Sequence, residues 1–135
     1  MTKVLTVGVY DLIHKGHVEL FRRAKMLGDY LIVAVQDCDY VLKFKPEANL
    51  VNSTEDRCYM VDAIKYVDET IVYQAVDEII KKVDFDILVT GPDQCHSGFV
   101  NAINWCTENG KKHIVLSRTE GVSSSEIKQH VKNKS

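Results

Sequence analysis

Two histidines with a glycine between them are the first residues in the chain that could bind a phosphate. His14 and His17 stand on either side of Gly16, shortly after the apolar segment 4–9. A helix is predicted to open at this point, and the free backbone N–H groups of a helix N-terminus attract anions. Both imidazoles can donate hydrogen bonds to phosphate oxygens, either as neutral or as protonated rings. Because glycine lets the backbone approach closely, the pattern indicates an anion site.

Two other interpretations of the histidine pair stay open on the residues alone. The pair could bind a metal ion, which would normally need a third ligand that Asp11 could supply. Alternatively, both imidazoles could have a purely structural role in a polar turn. The sequence favours the anion site over both.

A second group of candidate phosphate contacts stands about 100 residues later. Arg118 offers a planar fork of donors, and Gly121 relieves a tight turn. The hydroxyl groups of Ser123 and Ser124, with the helix predicted to follow them, would form a second cradle for an anion. Taken alone, the same residues are typical of a serine-capped surface helix after a charged turn.

Alternating strands and helices are predicted to position these residues. Short runs rich in β-branched residues predict strands at 4–9, 30–35, 70–73, 86–90 and 113–116. Amphipathic spacing and capping residues predict helices at 17–26, 53–66, 76–83, 99–108 and 124–131. This order is typical of βαβ units, so we expect an α/β fold with a mainly parallel five-stranded sheet between two helical layers, formed by one domain over residues 1–135.

Ligands of such sheets bind beyond the carboxyl ends of the strands. That rule selects four loops as candidate binding segments, at 10–16, 36–52, 91–97 and 117–124. The second of them has about 17 residues and no obvious secondary structure. A loop of that length inside a compact domain is usually functional or mobile.

Composition excludes several classes of protein. The 135 residues carry 17 Lys and Arg against 19 Asp and Glu, a net charge of −2, so general attraction to nucleic acid or to an anionic membrane is not expected. The four cysteines form no CxxC pair of the kind found in zinc sites or redox couples. With neither a secretory signal nor a membrane-spanning run in the pattern, we expect a cytoplasmic protein with reduced thiols.

Both candidate phosphate segments resemble motifs of one known family. Residues 8–17 resemble the HxGH signature of the cytidylyltransferase branch of the nucleotidylyltransferase superfamily. Its longer form, GxxDxxHxGH, is matched at every fixed position, by Gly8, Asp11, His14, Gly16 and His17. Residues 118–127 are similar to the family's RTEGISTTxI, with Val122, Ser124 and Ser125 in place of Ile, Thr and Thr. The resemblance implies a Rossmann-like α/β/α fold.

The resemblance also implies an activity. The family's reaction transfers CMP from CTP to a phosphorylated alcohol, releasing pyrophosphate and a CDP-alcohol. The short chain favours glycerol 3-phosphate as acceptor, with choline phosphate and ethanolamine phosphate as alternatives. An adenylyltransferase of the same superfamily and a catalytically silent nucleotide-binding protein are further alternatives. Mg²⁺ bound together with CTP, held mostly by phosphate oxygens and water, and a homodimer are implied as well.

Residue roles follow from the same resemblance. The catalytic candidates are His14, His17, Lys45 and Arg118. The nucleotide-binding candidates are Val9, Tyr10, Asp11, His14, Gly16, His17, Asp93, Arg118, Gly121, Ser123 and Ser124. The acceptor-binding candidates are Lys43, Lys45 and Arg57.

Several of these assignments have plain alternatives. Arg57 could instead contact a second subunit or be an exposed helical arginine. Its surroundings depart from the family pattern, since Asp56 stands directly before it rather than two places earlier. Lys43 and Lys45 could be a solvated pair, and Asp93 an ordinary turn residue. Asp11 could lie beside the metal or only shape its turn.

Overall fold

The computed structural model describes residues 1–47, 50–94 and 96–117. The strands are β1 (Lys3–Gly8), β2 (Tyr30–Gln36), β3 (Glu69–Tyr73), β4 (Ile87–Thr90) and β5 (Lys112–Val115). The helices are α1 (Lys15–Lys25), α2 (Cys38–Phe44), α3 (Thr54–Asp62), α4 (Val76–Ile79) and α5 (Ser97–Glu108). Each predicted strand is confirmed within one residue at either end. Within the described ranges, no helix is long and apolar enough to cross a membrane.

All five strands run parallel, in the order β3-β2-β1-β4-β5. The chain builds the sheet outwards from β1 through β2 to β3, then returns to the other side of β1 with β4 and β5. The order therefore reverses between β1 and β4, which is the position where α/β sheets bind ligands. The predicted parallel sheet is confirmed.

Helices cover both faces of the sheet because successive strand residues point to opposite sides. Leu5 and Ile32 belong to one buried cluster, which includes apolar residues of α4 and α5. Val4 and Val33 belong to the other, which includes residues of α1 and α3. The predicted three-layer α/β/α arrangement is confirmed.

Carboxylates hold the strand starts at the amino edge of the sheet. Asp29 accepts a hydrogen bond from the backbone N–H of Thr2 at 2.8 Å, and Asp86 accepts one from that of Lys3 at 2.8 Å. Asp68 accepts from the backbone N–H of Leu31 at 2.8 Å. This edge lies opposite the loops that carry the candidate site.

The predicted loop at 36–52 is wrong in one respect, because α2 lies within it. This helix starts directly after β2 and buries Val41, whereas Leu42 is partly exposed. A helix of only seven residues with so narrow an apolar face gives little periodicity to detect.

The predicted helices at 53–66 and 76–83 are too long. After α3 ends at Asp62, the chain continues in tight turns, in which Ile64 N–H donates to Val61 O and Val67 N–H donates to Ile64 O. Short turns of this kind follow α4 as well. They place apolar residues on the core at helical spacing without continuing the helix. The helix predicted at 124–131 lies outside the described residues.

The end of β1 is shaped by contact between Gly8 and Tyr10. Tyr10 has a positive φ of 53°, and its ring is buried against the face of Gly8. A Cβ on Gly8 would lie 2.7 Å from Cζ of that ring. The ring centroid lies 5.2 Å from that of Phe21 and 5.4 Å from that of His17, so the ring has little freedom to move aside. Glycine is therefore required at this position.

We expect Gly8→Ala to destabilise the fold by about 1–3 kcal/mol, because the added methyl group overpacks the Tyr10 ring. Urea unfolding of the variant and the parent measures this. Gly91→Ala is the matched control, since a Cβ there meets nothing within 4 Å. Its stability should stay within about 0.5 kcal/mol or rise slightly. Equal losses in the two variants would contradict the contact.

Candidate active site

The two predicted histidines lie together at the start of α1 and cap it reciprocally. Nδ1 of His14 accepts a hydrogen bond from the backbone N–H of Gly16 at 3.0 Å. Nδ1 of His17 accepts one from the backbone N–H of His14 at 3.3 Å. The two ring centroids are 4.0 Å apart, with the planes tilted by 32°. This is a capping box built from imidazoles, where Ser or Thr and Glu or Gln are usual.

The capping bonds fix the tautomer of both rings. In each ring Nδ1 accepts a hydrogen bond, so the proton of the neutral imidazole is on Nε2. Both rings therefore carry an Nε2–H donor that the cap does not use. The structural interpretation is confirmed, since one nitrogen of each ring holds the helix. The anion site stays a prediction, for which the other nitrogen of each ring is the candidate donor.

Both imidazoles are neutral near pH 7. Burial lowers the pKa of His14 below its usual value. Burial, reinforced by the neighbouring His14, lowers the pKa of His17 to about 4. Without a bound ligand, the imidazoles of His14 and His17 are therefore neutral donors rather than protonated ones.

Tyr10, a predicted nucleotide contact, faces the protein interior. Its ring meets that of His17 edge to face, with 85° between the planes. Burial raises the pKa of its hydroxyl. The side chain therefore holds the His17 ring in place, and a nucleotide could reach only the backbone of this residue.

Asp11 ties the first loop to the segment before α3. Its carboxylate is buried and accepts hydrogen bonds from the backbone N–H groups of Val51 at 2.8 Å and Asn52 at 2.9 Å. The side-chain amide of Asn52 donates in return to the backbone oxygen of Asp11. These contacts give Asp11 the turn-shaping role.

The described residues contain no group of three or more His, Cys, Asp or Glu side chains arranged to hold a metal ion. The carboxylate of Asp11, the candidate ligand, is occupied by backbone donors. The described protein groups therefore do not fit a protein-bound Mg²⁺ site, and the reaction steps considered below depend on none.

Arg57 is fully buried, which corrects the expectation of an exposed helical arginine. Its Nη1 donates to Val9 O at 2.6 Å, its Nη2 to Cys38 Sγ at 2.8 Å, and its Nε to Ser53 O at 3.3 Å. One guanidinium therefore joins the end of β1 to the starts of α2 and α3. With no exposed surface, the side chain positions the first loop and is not presented to an acceptor or to a second subunit.

The other predicted contacts are placed less specifically. Lys43 and Lys45 are exposed at the end of α2, and Asp93 is exposed in the turn after β4. All three follow carboxyl ends of strands, at the same edge as His14 and His17. Their roles stay predictions. Arg118, Gly121, Ser123 and Ser124 lie outside the described residues.

Sequence reasoning missed two residues at this edge. His96 caps α5 as His14 caps α1, with its Nδ1 accepting from Gly98 N–H at 3.1 Å. The shared His-x-Gly spacing at 14–16 and 96–98 was a signal for it. Gln94 donates from Nε2 to Val7 O at 2.7 Å, and its Oε1 accepts from Gly91 N–H at 2.9 Å. No pattern in the sequence marks that residue.

The fold and the site together define a Rossmann-like α/β domain, in which an imidazole-capped helix opens at the reversal of strand order. Comparison with known proteins is more specific. The chain belongs to the cytidylyltransferase-like family of nucleotidyltransferases, whose family model matches residues 5–130. The predicted family is confirmed.

Individual relatives are similar over different lengths. The chain is 36% identical to the glycerol-3-phosphate cytidylyltransferase of Bacillus subtilis strain 168, over 97% of this chain and 98% of that protein. It is 38% identical to the FAD synthase of Thermococcus kodakarensis, over 68% of this chain and 63% of that protein. A crystal structure of a lipopolysaccharide core biosynthesis protein from Thermoplasma volcanium has the same fold, with a TM-score of 0.70 and 23% identity over 88% of this chain and 97% of that one.

We expect Arg57→Met to cost about 1–3 kcal/mol of stability, because it leaves the backbone oxygen of Val9 without the donor that Arg57 Nη1 supplies. Chemical denaturation measures the loss. Arg22→Met is the control, because Arg22 forms a half-exposed ion pair with Glu19 at 2.8 Å on the surface of α1. Such pairs contribute about 0–1 kcal/mol. A small loss at Arg57 would contradict its joining role.

The lowered pKa of His17 predicts a loss of stability in acid. The unfolded chain takes up a proton near pH 6.5, whereas the folded site resists protonation until about pH 4. The stability from neutral His17 is therefore fully present above pH 6.5 and is lost as the pH falls towards 4.

Nuclear magnetic resonance titration of the imidazole signals measures this directly. The Nε2–H tautomer should be observed for both rings at pH 7, and the His17 signal should titrate well below pH 6. His113, on β5, serves as an internal reference with a lowered pKa of its own. A His17 midpoint at or above pH 6.5, or an Nδ1–H tautomer, would contradict the reciprocal cap.

Proposed function

We propose that the protein transfers CMP from CTP to a small phosphorylated alcohol, with glycerol 3-phosphate as the preferred acceptor, and releases pyrophosphate and a CDP-alcohol. The observation that carries the proposal is the reciprocal histidine cap, which leaves the Nε2–H group of both rings outside the capping hydrogen bonds at a helix N-terminus where the strand order reverses. Membership of the cytidylyltransferase-like family and similarity to the Bacillus subtilis protein along nearly its whole length support it.

The chemistry requires positioned donors rather than a base. A phosphate monoester has a second pKa of about 6, so at pH 7 the acceptor is largely a dianion and its oxygen can attack without losing a proton. A bond forms between that oxygen and the α-phosphorus of CTP. The bond from the α-phosphorus to the bridging oxygen breaks, and the electron pair leaves with pyrophosphate. Rate enhancement then comes from alignment and from stabilising the developing negative charge.

His14 and His17 supply that stabilisation in the proposed mechanism. Their neutral Nε2–H groups donate to oxygens of the α-phosphate and of the leaving pyrophosphate, beside the positive end of the α1 dipole. A bound polyphosphate raises the pKa of both imidazoles by its opposite charge. The complex can therefore hold a proton that the free site does not hold, and this proton offsets charge on the departing group.

The remaining assignments belong to the same proposal. Lys43 and Lys45 neutralise the acceptor phosphate, and Asp93 contacts the nucleoside. Arg118, with Gly121, Ser123 and Ser124, binds the β- and γ-phosphates. Mg²⁺ arrives with CTP, held by its phosphate oxygens and water. A homodimer in the cytoplasm is the expected working form.

ATP is a second candidate nucleotide because of the similarity to an FAD synthase. The relative named FAD synthase is 38% identical over 68% of this chain, which keeps transfer of AMP from ATP as an alternative.

A substrate panel tests the proposed reaction. The purified protein is incubated with CTP or ATP and with glycerol 3-phosphate, choline phosphate or ethanolamine phosphate, and pyrophosphate and the nucleotide product are measured. We expect CDP-glycerol to form fastest. Faster turnover of ATP would replace the proposal with the adenylyltransferase alternative. The absence of turnover with every acceptor and either nucleotide would favour the catalytically silent alternative.

We expect His17→Asn to lower kcat about 100- to 1,000-fold, as the loss of one preorganised donor does, while the variant stays folded. The asparagine oxygen can still accept from the backbone N–H of His14, so helix capping is retained. His113→Asn is the control, because His113 bonds Thr90 at 2.7 Å on the sheet and has no assigned part in catalysis. A fall of less than tenfold at His17 would contradict its role.

A further inference from the structure

Strand β1 stays paired with β2 for longer than it stays paired with β4. Its pairing with β2 continues to Gly8, opposite Val35. Its pairing with β4 ends at Thr6, opposite Val89, where the Thr6 hydroxyl also donates to Val89 O at 3.1 Å. Beyond Thr6 the two strands part, and this parting opens the crevice at the reversal of strand order.

The side-chain amide of Gln94 is inserted where the strands part. Its Nε2 donates to Val7 O at 2.7 Å and its Oε1 accepts from Gly91 N–H at 2.9 Å. A primary amide carries a donor and an acceptor side by side, as a peptide group does. Gln94 therefore takes the place of a backbone partner for β1 on one side and for the chain leaving β4 on the other.

The turn after β4 is consequently attached at two points. The backbone N–H of Gln94 donates to Gly91 O at 3.2 Å and closes the turn on its own strand. The side chain then fastens the same turn to the end of β1, one residue before Gly8. Asp93 lies inside this turn, and the loop with Tyr10 and Asp11 begins just beyond the Val7 attachment.

We infer that Gln94 is a positioning residue for the nucleotide, its amide acting as a spacer that sets the distance between the first loop and the turn that carries Asp93. The inference rests on the proposed function for the identity of the nucleotide, a pyrimidine nucleoside triphosphate. The amide need not touch the ligand. It fixes the two walls between which the nucleoside binds.

The two hydrogen bonds define the variants that test the role. Gln94→Met keeps the side-chain length and removes both bonds. Gln94→Glu keeps the shape, but an ionised carboxylate has no donor and faces the carbonyl oxygen of Val7. The loss of both bonds is expected to raise KM for CTP about tenfold or more in both variants. KM for glycerol 3-phosphate should change less than about twofold, because the acceptor lysines follow β2.

Gln36→Met is the matched control. Gln36 also donates from its side-chain amide to a backbone oxygen at the carboxyl edge, that of Gln74 at 2.9 Å, but on the side of β2 and β3. Both KM values should stay near those of the parent. An unchanged KM for CTP in the Gln94 variants, or an equal rise in Gln36→Met, would overturn the inference. So would unfolding of both Gln94 variants, which would make the residue one that the fold itself needs.

The outcome for the parent protein separates this inference from the proposed function. If the parent shows no turnover of CTP, the proposed function fails, and the Gln94 variants are compared with the parent by calorimetric binding of CTP and ATP. Weaker binding of either nucleotide by the variants supports the spacer. Equal binding, or no binding of either nucleotide by the parent, overturns it.

Discussion

The parallel pairing of β1 with both β2 and β4 is the constraint on which the site depends. Parallel strands deliver every following loop to one edge of the sheet, and a central strand with neighbours built in opposite directions must part from one of them at that edge. The first loop, the α1 cap and the turn after β4 all lie around this parting. The position of the proposed site is thus a product of chain topology, and side chains adjust its chemistry.

Capping connects the stability of α1 to the chemistry of the site. In most helices the N-terminal cap uses hydroxyl or carboxylate oxygens. A carboxylate has no donor to offer, and a hydroxyl proton can rotate about its C–O bond. An imidazole has two nitrogens, so the one that holds the helix also determines which proton the other presents. The partly buried ring of His17 packs against the Tyr10 ring, and the Tyr10 ring packs against Gly8, which has no side chain. These contacts support the imidazole that carries the Nε2–H donor. The orientation of the reacting group is therefore set by the core.

The sequence predicted the sheet well because its strands are short runs rich in β-branched residues, and the three inner strands β1, β2 and β4 are buried on both faces. Prediction from the sequence failed for features that do not follow from the periodic spacing of apolar residues. The short helix α2 has too few apolar positions to detect, and the turns after α3 imitate helical spacing. Arg57 was predicted to bind the acceptor, yet its donors are satisfied by backbone oxygens and a sulfur that only the folded chain brings together. The side chains of Asp11 and Gln94 also bond to backbone groups that only the folded chain brings close to them. The histidine pair was predictable because both partners of the cap lie within one turn.

The carboxylates at the amino edge have a consequence for how such a protein can change over time. Asp29, Asp68 and Asp86 fasten strand starts with bonds that involve none of the loops at the other edge. Loop residues can therefore be exchanged without loosening those attachments. In a scaffold divided in this way, loops at one edge can change while the other edge keeps the fold stable. This division suits a chain whose relatives are named for compounds as different as glycerol 3-phosphate and FAD.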